Sequence, residues 1–165
     1  MRFNLVDRIL EVDPGRSIRV AKNLTLAEEY LADHFPTFPV MPGVLMLQAL
    51  VEAGAWLLRI TEDFRHSVVT LREAKNVKYG NFMQPGRRLL ITAELGEQDG
   101  SLAVLKGKGE VDGSQAVSAR LTLTRYNLRD RNPALAGVDE RIISHLRGLH
   151  NVLRGDLAQA LAPTA

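Results

Sequence analysis

Residues 43 to about 60 carry apolar side chains at nearly every azimuth of a helix: Val44, Leu45, Leu47, Leu50, Val51, Ala53, Trp56, Leu57 and Leu58. A helix of that pattern holds together in water only when other structure covers it on most sides. The apolar stretch, near residues 44 to 58, is interrupted by Gln48 and Glu52 and is too short to read as a membrane span. The rest of the chain must therefore wrap it.

The wrapping is expected to be a sheet. Val6 to Val12 and Ser17 to Leu24 read as a strand pair about the turn Asp13-Pro14-Gly15, with Ile18 and Val20 alternating on one face. Val68 to Val77, Arg88 to Gly96, Leu102 to Val111 and Gln115 to Tyr126 read as four more strands, separated by Pro85-Gly86, Gln98-Asp99-Gly100 and Asp112-Gly113-Ser114. The last three should form an antiparallel meander. In the final strand Ala119, Leu121 and Leu123 alternate with Arg120, Thr122 and Thr124, which makes one face apolar and the other wet. Thr25 is the expected N-cap of a short helix through Glu28, Glu29, Tyr30 and Leu31 that delivers the chain to His34. Past Asn127 the pattern changes. Arg129 to Pro133 looks like a linker, and Val138, Ile142, Ile143, Leu146, Leu149, Val152, Leu153 and Leu157 predict a C-terminal helix from 138 to about 161. A chain of 165 residues that is 45% hydrophobic suffices for one core and is too short for two ordinary domains. The expected organisation is an α+β domain over 1–127, followed by a linker and helical extension over 128–165.

Between the short helix and the long one runs His34-Phe35-Pro36-Thr37-Phe38-Pro39-Val40-Met41-Pro42-Gly43. Three prolines fix φ and push each preceding residue towards extended geometry, so this loop can hold a histidine without helix or sheet hydrogen bonds. Pro42 suits a helix start, where its missing N–H costs nothing, and Gly43 lets other atoms approach the backbone closely. The free N–H groups of the first helical turn and the positive end of the helix dipole favour a developing negative charge. A titratable imidazole beside such an oxyanion site is a catalytic pairing.

The order His-Phe-Pro-x-x-Pro-Val-x-Pro-Gly-Val-Leu over residues 34 to 45 closely resembles the signature of the β-hydroxyacyl-acyl carrier protein dehydratases of bacterial type II fatty acid synthesis. Leu5-Val6-Asp7-Arg8-Ile9 and Lys22-Asn23-Leu24-Thr25, with Glu28, are similar to that family's opening. Lys78-Tyr79-Gly80-Asn81-Phe82-Met83-Gln84-Pro85-Gly86 resembles its second Pro-Gly segment, although Arg87 and Arg88 follow where the family more often has an acidic residue. The likeness covers roughly residues 3 to 127 and implies the hotdog fold, an antiparallel sheet around one central helix. It also implies His34 as the base on the carbon α to a thioester and Gly43 as the oxyanion donor. Phe35, Pro42, Tyr79 and Phe82 are the residues expected to contact substrate. The implied substrate is a β-hydroxyacyl chain on the phosphopantetheine arm of an acyl carrier protein, dehydrated to the trans-2-enoyl thioester. The implied assembly is a homodimer or a group of dimers, each site taking residues from both chains.

One departure bears on the chemistry. Where the family has a glutamate or aspartate, five residues after the Pro-Gly glycine, this chain has Gln48. An amide is no general acid, and losing one typically costs about 10²- to 10⁴-fold in rate. Glu52, one turn on, shares the face of Gln48, and Arg59 returns to nearly the same azimuth. The stripe either faces water or a subunit boundary, or it serves the site, with Gln48 holding the hydroxyl or a water and Glu52 or protonated His34 completing the proton transfer. His34, Gln48 and Glu52 are the expected catalytic residues. Two other outcomes stay open: a non-catalytic subunit that binds acyl thioesters or pairs with an active dehydratase, and a hotdog thioesterase using a positioned water.

Other features narrow the field. A net charge of +2 without a dense basic run gives no reason to expect nucleic-acid binding. With no cysteine there is neither a disulfide framework nor a thiolate nucleophile, which fits a reducing cytoplasm. The opening Met1-Arg2-Phe3-Asn4 lacks the apolar run of a signal peptide. His145 and His150 stand about 140° apart round a helix and so make no one-face metal pair. His66 lies in a polar loop and is expected to be structural, and Gly107-Lys108-Gly109 lacks the context of a phosphate loop. No metal or cofactor is expected.

Overall fold

Five antiparallel pairings join six strands into one sheet in the computed structural model, which describes residues 4–155. The strands are β1 (Arg8–Asp13), β2 (Ser17–Asn23), β3 (Val68–Tyr79), β4 (Arg88–Asp99), β5 (Leu102–Val111) and β6 (Ser114–Tyr126), in the spatial order β1-β2-β4-β5-β6-β3. The opening hairpin and the β4-β5-β6 meander follow the expected pairing. β1 starts two residues later than its apolar run, with a register shift between Ile9 and Glu11, whereas β3 and β4 run on to Tyr79 and Asp99.

The long helix α1 (Gly43–Thr61) lies in the trough of this sheet and contacts β2 through β6. By length and composition it could cross a membrane, but here the strands pack on it, as its all-round apolar surface requires. The trough is shaped by small residues. Ala93, Gly107 and Ala119 stand side by side on β4, β5 and β6, and a Cβ at Gly107 would lie 3.2 Å from Leu50. From the helix side, a Cβ at Gly54 would lie 3.2 Å from both Leu105 and Leu123. Bare backbone on both surfaces lets helix and sheet approach, burying Leu50, Leu57, Leu105, Leu121 and Leu123 completely. The Gly107-Lys108-Gly109 run is thus a packing feature.

The segment before the site differs from expectation. Only one 3₁₀ turn forms, over Glu29–Leu31, with no side-chain cap. The Thr25 hydroxyl accepts from the N–H of Ala27, two residues on, at 3.3 Å, closing a local turn instead of capping a helix. What fixes the segment is tertiary. Lys22, almost fully buried, places its Nζ 2.5 Å from Glu28 Oε1 and 3.6 Å from Asp7 Oδ1, and Leu31 is buried in the core.

After β6 the expected linker is ordered into two 3₁₀ turns, Leu128–Asp130 and Pro133–Leu135. Helix α2 (Ala136–Arg154) begins two residues earlier than the apolar spacing suggests and ends at Gly155, whose φ of 82° is the left-handed conformation that closes a helix. Leu157 and the rest of the expected helix to 161 lie outside the described residues. α2 packs against β1 and reaches α1 through His150 and Trp56. Its Asp139 is fully buried and accepts from the Ser67 hydroxyl, from the N–H groups of Leu128 and Arg129 at 2.9 Å each, and from Arg129 Nε. Burial alone would push this carboxyl up; those donors outweigh it and hold it down to about 2. Farther along, His150 stacks on Trp56 and packs against Phe64, while Arg147 pairs with Asp63 over the Phe64 ring.

Candidate active site

The proline loop holds His34 by a single backbone bond. The His34 Nδ1 lies 3.0 Å from the Val40 carbonyl oxygen. A carbonyl only accepts, so Nδ1 carries the proton and Nε2 is left as the basic atom. The loop is tied down on both flanks: Phe38 N–H donates to Phe35 O at 2.7 Å, and Met41 N–H donates to Met83 O at 2.8 Å. Phe35 takes φ = 52°, a left-handed conformation unusual for a bulky residue, and its ring sits edge-on to the imidazole with centroids 4.4 Å apart. The Met41–Met83 bond joins the two Pro-Gly segments that are far apart in sequence. Phe38 and Phe82, one from each, meet edge to face at 5.8 Å.

The helix start is built as its sequence suggests. Pro42 is the N-cap, and its carbonyl accepts from both Leu45 and Met46 at 2.9 and 3.2 Å. The amides of Gly43 and Val44 precede these first bonded donors and have no intrahelical partner. Tyr79 covers Gly43 from the second segment: a Cβ on Gly43 would meet its ring carbons at 3.0 and 3.1 Å. Phe35, Phe38, Val44, Tyr79 and Phe82 all remain exposed, gathering apolar surface about the helix N-terminus. Of the expected substrate contacts, Pro42 and Tyr79 thus meet at Gly43, and Phe35 flanks His34; Phe82 reaches the loop through Phe38.

Gln48 and Glu52 lie on the α1 face that the sheet leaves uncovered. Gln48 is exposed, as is Val44 one turn before it, while Glu52 is half-buried. The Glu52 Oε2 accepts from the Leu5 N–H at 2.8 Å. Burial pushes its carboxyl above the ordinary value, opposed by the Leu5 N–H, the neighbouring Gln48 amide, and the charges of Arg59 and Lys22. Arg59, deeper along the stripe and stacked over Trp56, has its guanidinium lowered to about 10 by burial. The side-chain hydrogen bonds of His34 and Glu52 go to the backbone of Val40 and Leu5, and among the described residues no hydrogen bond joins the imidazole to the stripe.

Sequence reasoning missed Val40, Leu5 and Met83, because each acts through its backbone and leaves no side-chain signature. Phe38 had a signal, an aromatic in a proline-rich loop with a matching Phe82 in the second segment. His66 is structural as expected: its Nδ1 meets Glu62 at 2.9 Å, and Glu62 also holds the buried Arg125 at 2.6 Å. Among the described residues no cluster of His, Cys, Asp or Glu could hold a metal ion.

The FabA-like domain family matches residues 1–120. The 3-hydroxyacyl-(acyl-carrier-protein) dehydratase FabZ of Albidiferax ferrireducens is 40% identical over 124 residues, spanning 73% of this chain and 82% of that protein. The protein of the same name from Wolbachia pipientis is 37% identical over 122 residues, spanning 74% and 84%. Among solved structures, the dehydratase heterocomplex ApeI:P from Xenorhabdus doucetiae superposes with a TM-score of 0.65 at 16% identity, covering 81% of this chain and 90% of that one. A hypothetical thioesterase protein with coenzyme A from Streptococcus pneumoniae superposes at 0.53 and 14% identity, covering 72% and 84%. These two likenesses establish the architecture, a hotdog fold carrying an added C-terminal helix. Family match and relatives together place the chain in the FabA-like family, among the FabZ 3-hydroxyacyl-acyl carrier protein dehydratases.

Proposed function

We propose that this protein dehydrates 3-hydroxyacyl thioesters, carried on the phosphopantetheine arm of acyl carrier protein, to trans-2-enoyl thioesters in fatty acid or lipid biosynthesis in the cytoplasm. The observation that carries the reading is the His34 Nδ1 bond to Val40, which leaves Nε2 free to act as base beside a helix N-terminus with unbonded amides. Nε2 takes the proton from the carbon α to the thioester, and the negative charge that develops on the carbonyl oxygen is met by the Gly43 N–H and the helix dipole. The C–O bond at the β-carbon breaks as the double bond forms. The hydroxyl departs as water with the proton returned by the imidazolium, a route that asks no acid of Gln48.

The complete site is assembled from two chains. Supporting this are the apolar surface of Phe35, Phe38, Val44, Tyr79 and Phe82, the uncovered Gln48 face, and β3 at the outer edge of the sheet with one side of its 12 residues unpaired. His34 of one protomer then faces Gln48 of the other. Sedimentation should give a dimer or larger assembly at micromolar concentration; a monomer alone would refute it.

The test of activity offers the protein a 3-hydroxyacyl and a 2-enoyl thioester. Interconversion of the two, falling at least about 10²-fold in a folded His34→Ala variant, is the expected result. Release of free thiol instead would replace dehydration by thioester hydrolysis. Inertness alone, with turnover only on mixing with a second dehydratase chain, would favour a heteromeric role, a reading motivated by the amide at position 48.

A further inference from the structure

Regular alternation along β3 would aim Tyr79 away from the helix. Lys75 stands opposite the exposed Arg120 on the outer face of the sheet, and residues four apart in an unbroken strand share a face. A bulge breaks the count. Lys78, three positions after Lys75, pairs with Ser118, only two positions from Arg120, and Asn76 accommodates the extra residue in a left-handed conformation with φ = 53°. Tyr79 thereby falls opposite Val117, which is fully buried on the inner face. Just beyond it, Gly80 N–H donates to Ala116 O at 2.8 Å and Asn81 N–H to Gln115 O at 3.3 Å, clamping this end of the segment to β6.

The side chain so aimed lands on the start of α1. A Cβ on Gly43 would lie 3.0, 3.1 and 3.4 Å from Tyr79 Cε1, Cδ1 and Cζ. Three consecutive ring carbons at such similar distances mean that the ring lies flat across Gly43, with the hydroxyl one bond beyond Cζ. That hydroxyl is hydrogen-bonded to none of the described residues. Bulge, left-handed Asn76 and bare Gly43 together place an unpaired O–H beside an amide that has no intrahelical partner.

We propose that Tyr79 is a second donor to the thioester carbonyl oxygen, completing with the Gly43 N–H a two-donor oxyanion site. This rests on the dehydratase reading and deepens it. As His34 Nε2 takes the α-proton, the C–H electron pair forms the enolate double bond and the carbonyl pair moves onto oxygen. Tyr79 O–H and Gly43 N–H each donate a hydrogen bond to that oxygen and keep their own protons. When the C–O bond at the β-carbon breaks, the charge leaves the carbonyl oxygen and both donors are unchanged. This donor acts at the carbonyl end of the substrate and is separate from the proton that the departing hydroxyl receives.

Tyr79→Phe removes the oxygen and keeps the ring on Gly43. The assembled full-length protein is given crotonyl-pantetheine, whose hydration reports the whole reaction. It is also given butyryl-pantetheine in deuterated water, whose α-hydrogens exchange through the enolate alone because it carries no β-hydroxyl. Loss of one oxyanion donor typically lowers kcat by about 10²- to 10³-fold. For a half-exposed phenol the lower figure, about 10²-fold, is expected in both reactions, with KM and melting temperature unchanged. Parental rates in both overturn the proposal. So does a loss confined to one of them; hydration lost with exchange intact would put the hydroxyl at the β-oxygen instead. A parent that hydrolyses its thioester and hydrates nothing overturns the dehydratase reading. There the tetrahedral oxyanion forms at the same oxygen, so slower hydrolysis in Tyr79→Phe supports the donor and unchanged hydrolysis overturns it. A parent inert to every probe also ends that reading, and the donor is then read from the infrared carbonyl stretch of bound ¹³C-labelled butyryl-pantetheine. A rise in frequency in Tyr79→Phe supports it, and an unmoved stretch overturns it.

Discussion

Replacing Gly43 by alanine separates the stability of the helix start from its use. The new Cβ would lie 3.0 Å from Cε1 and 3.1 Å from Cδ1 of Tyr79, against an ordinary carbon–carbon contact of about 3.5–4.0 Å. The ring must withdraw by roughly half an ångström. Tyr79 is 50% exposed, so it can move, and alanine in place of glycine returns about 0.5–1 kcal/mol of helix stability. The two effects nearly offset, and the melting temperature should stay within about 4 °C of the parent. Activity should respond more strongly. The methyl group and the displaced ring stand beside the amide proposed to meet the thioester oxygen, and since a misplacement of about 1 Å can cost about 10²-fold, half of it should lower kcat/KM by about 10-fold. Steady-state hydration of an enoyl thioester measures this, with Gly43→Ala compared in a Tyr79→Ala background. If the ring transmits the effect, the loss shrinks to about 3-fold or less there. Full activity in Gly43→Ala with unchanged KM would show that close approach to this backbone plays no part in turnover.

Two more predictions concern the scaffold. Lys22→Ala leaves Glu28 and Asp7 without their cation and should destabilise the fold by about 3 kcal/mol, at the low end for a buried pair because both carboxylates keep some water; urea unfolding that shows no loss would refute the anchoring role. The Asp139 carboxyl, held at about 2 against an ordinary 3.8, contributes stability that is present above pH 3.8 and is lost as pH falls towards 2. Asp139→Asn should therefore be less stable than the parent at neutral pH, and the gap should narrow on acidification between those limits; a gap independent of pH would contradict the assignment.

What the sequence disclosed and what it withheld follow from the range of the forces involved. The proline loop and α1 were legible because fixed φ values and an all-round apolar run act within a few residues. So were the β4-β5-β6 turns. The pairing of β3 with β6 was not, since Val68 and Tyr126 meet across the whole length of the meander and nothing local specifies it. Asp139 looked like any acid in a first helical turn, yet it is completed by Ser67, a residue 72 positions away. Thr25 had the composition of a cap and spent its hydroxyl on a nearer N–H. For Gln48 and Glu52, periodicity supplied a common face but not the fact that the sheet leaves that face bare. Deciding that required the three-dimensional course of all six strands.

The bond from His34 Nδ1 to the Val40 carbonyl has a stereochemical consequence. With one ring nitrogen committed to the backbone, the proposed reaction must take up and return its proton at the same atom, Nε2. An imidazole fixed in that way cannot carry a proton across to the opposite side of the substrate. The α-hydrogen and the β-hydroxyl must then both lie on the face of the carbon–carbon bond that looks at His34, and they must leave from it together: a syn elimination. The same constraint, run backwards, adds water and proton to one face of the enoyl double bond, so a single backbone carbonyl sets the relative configuration that hydration in deuterated water would record.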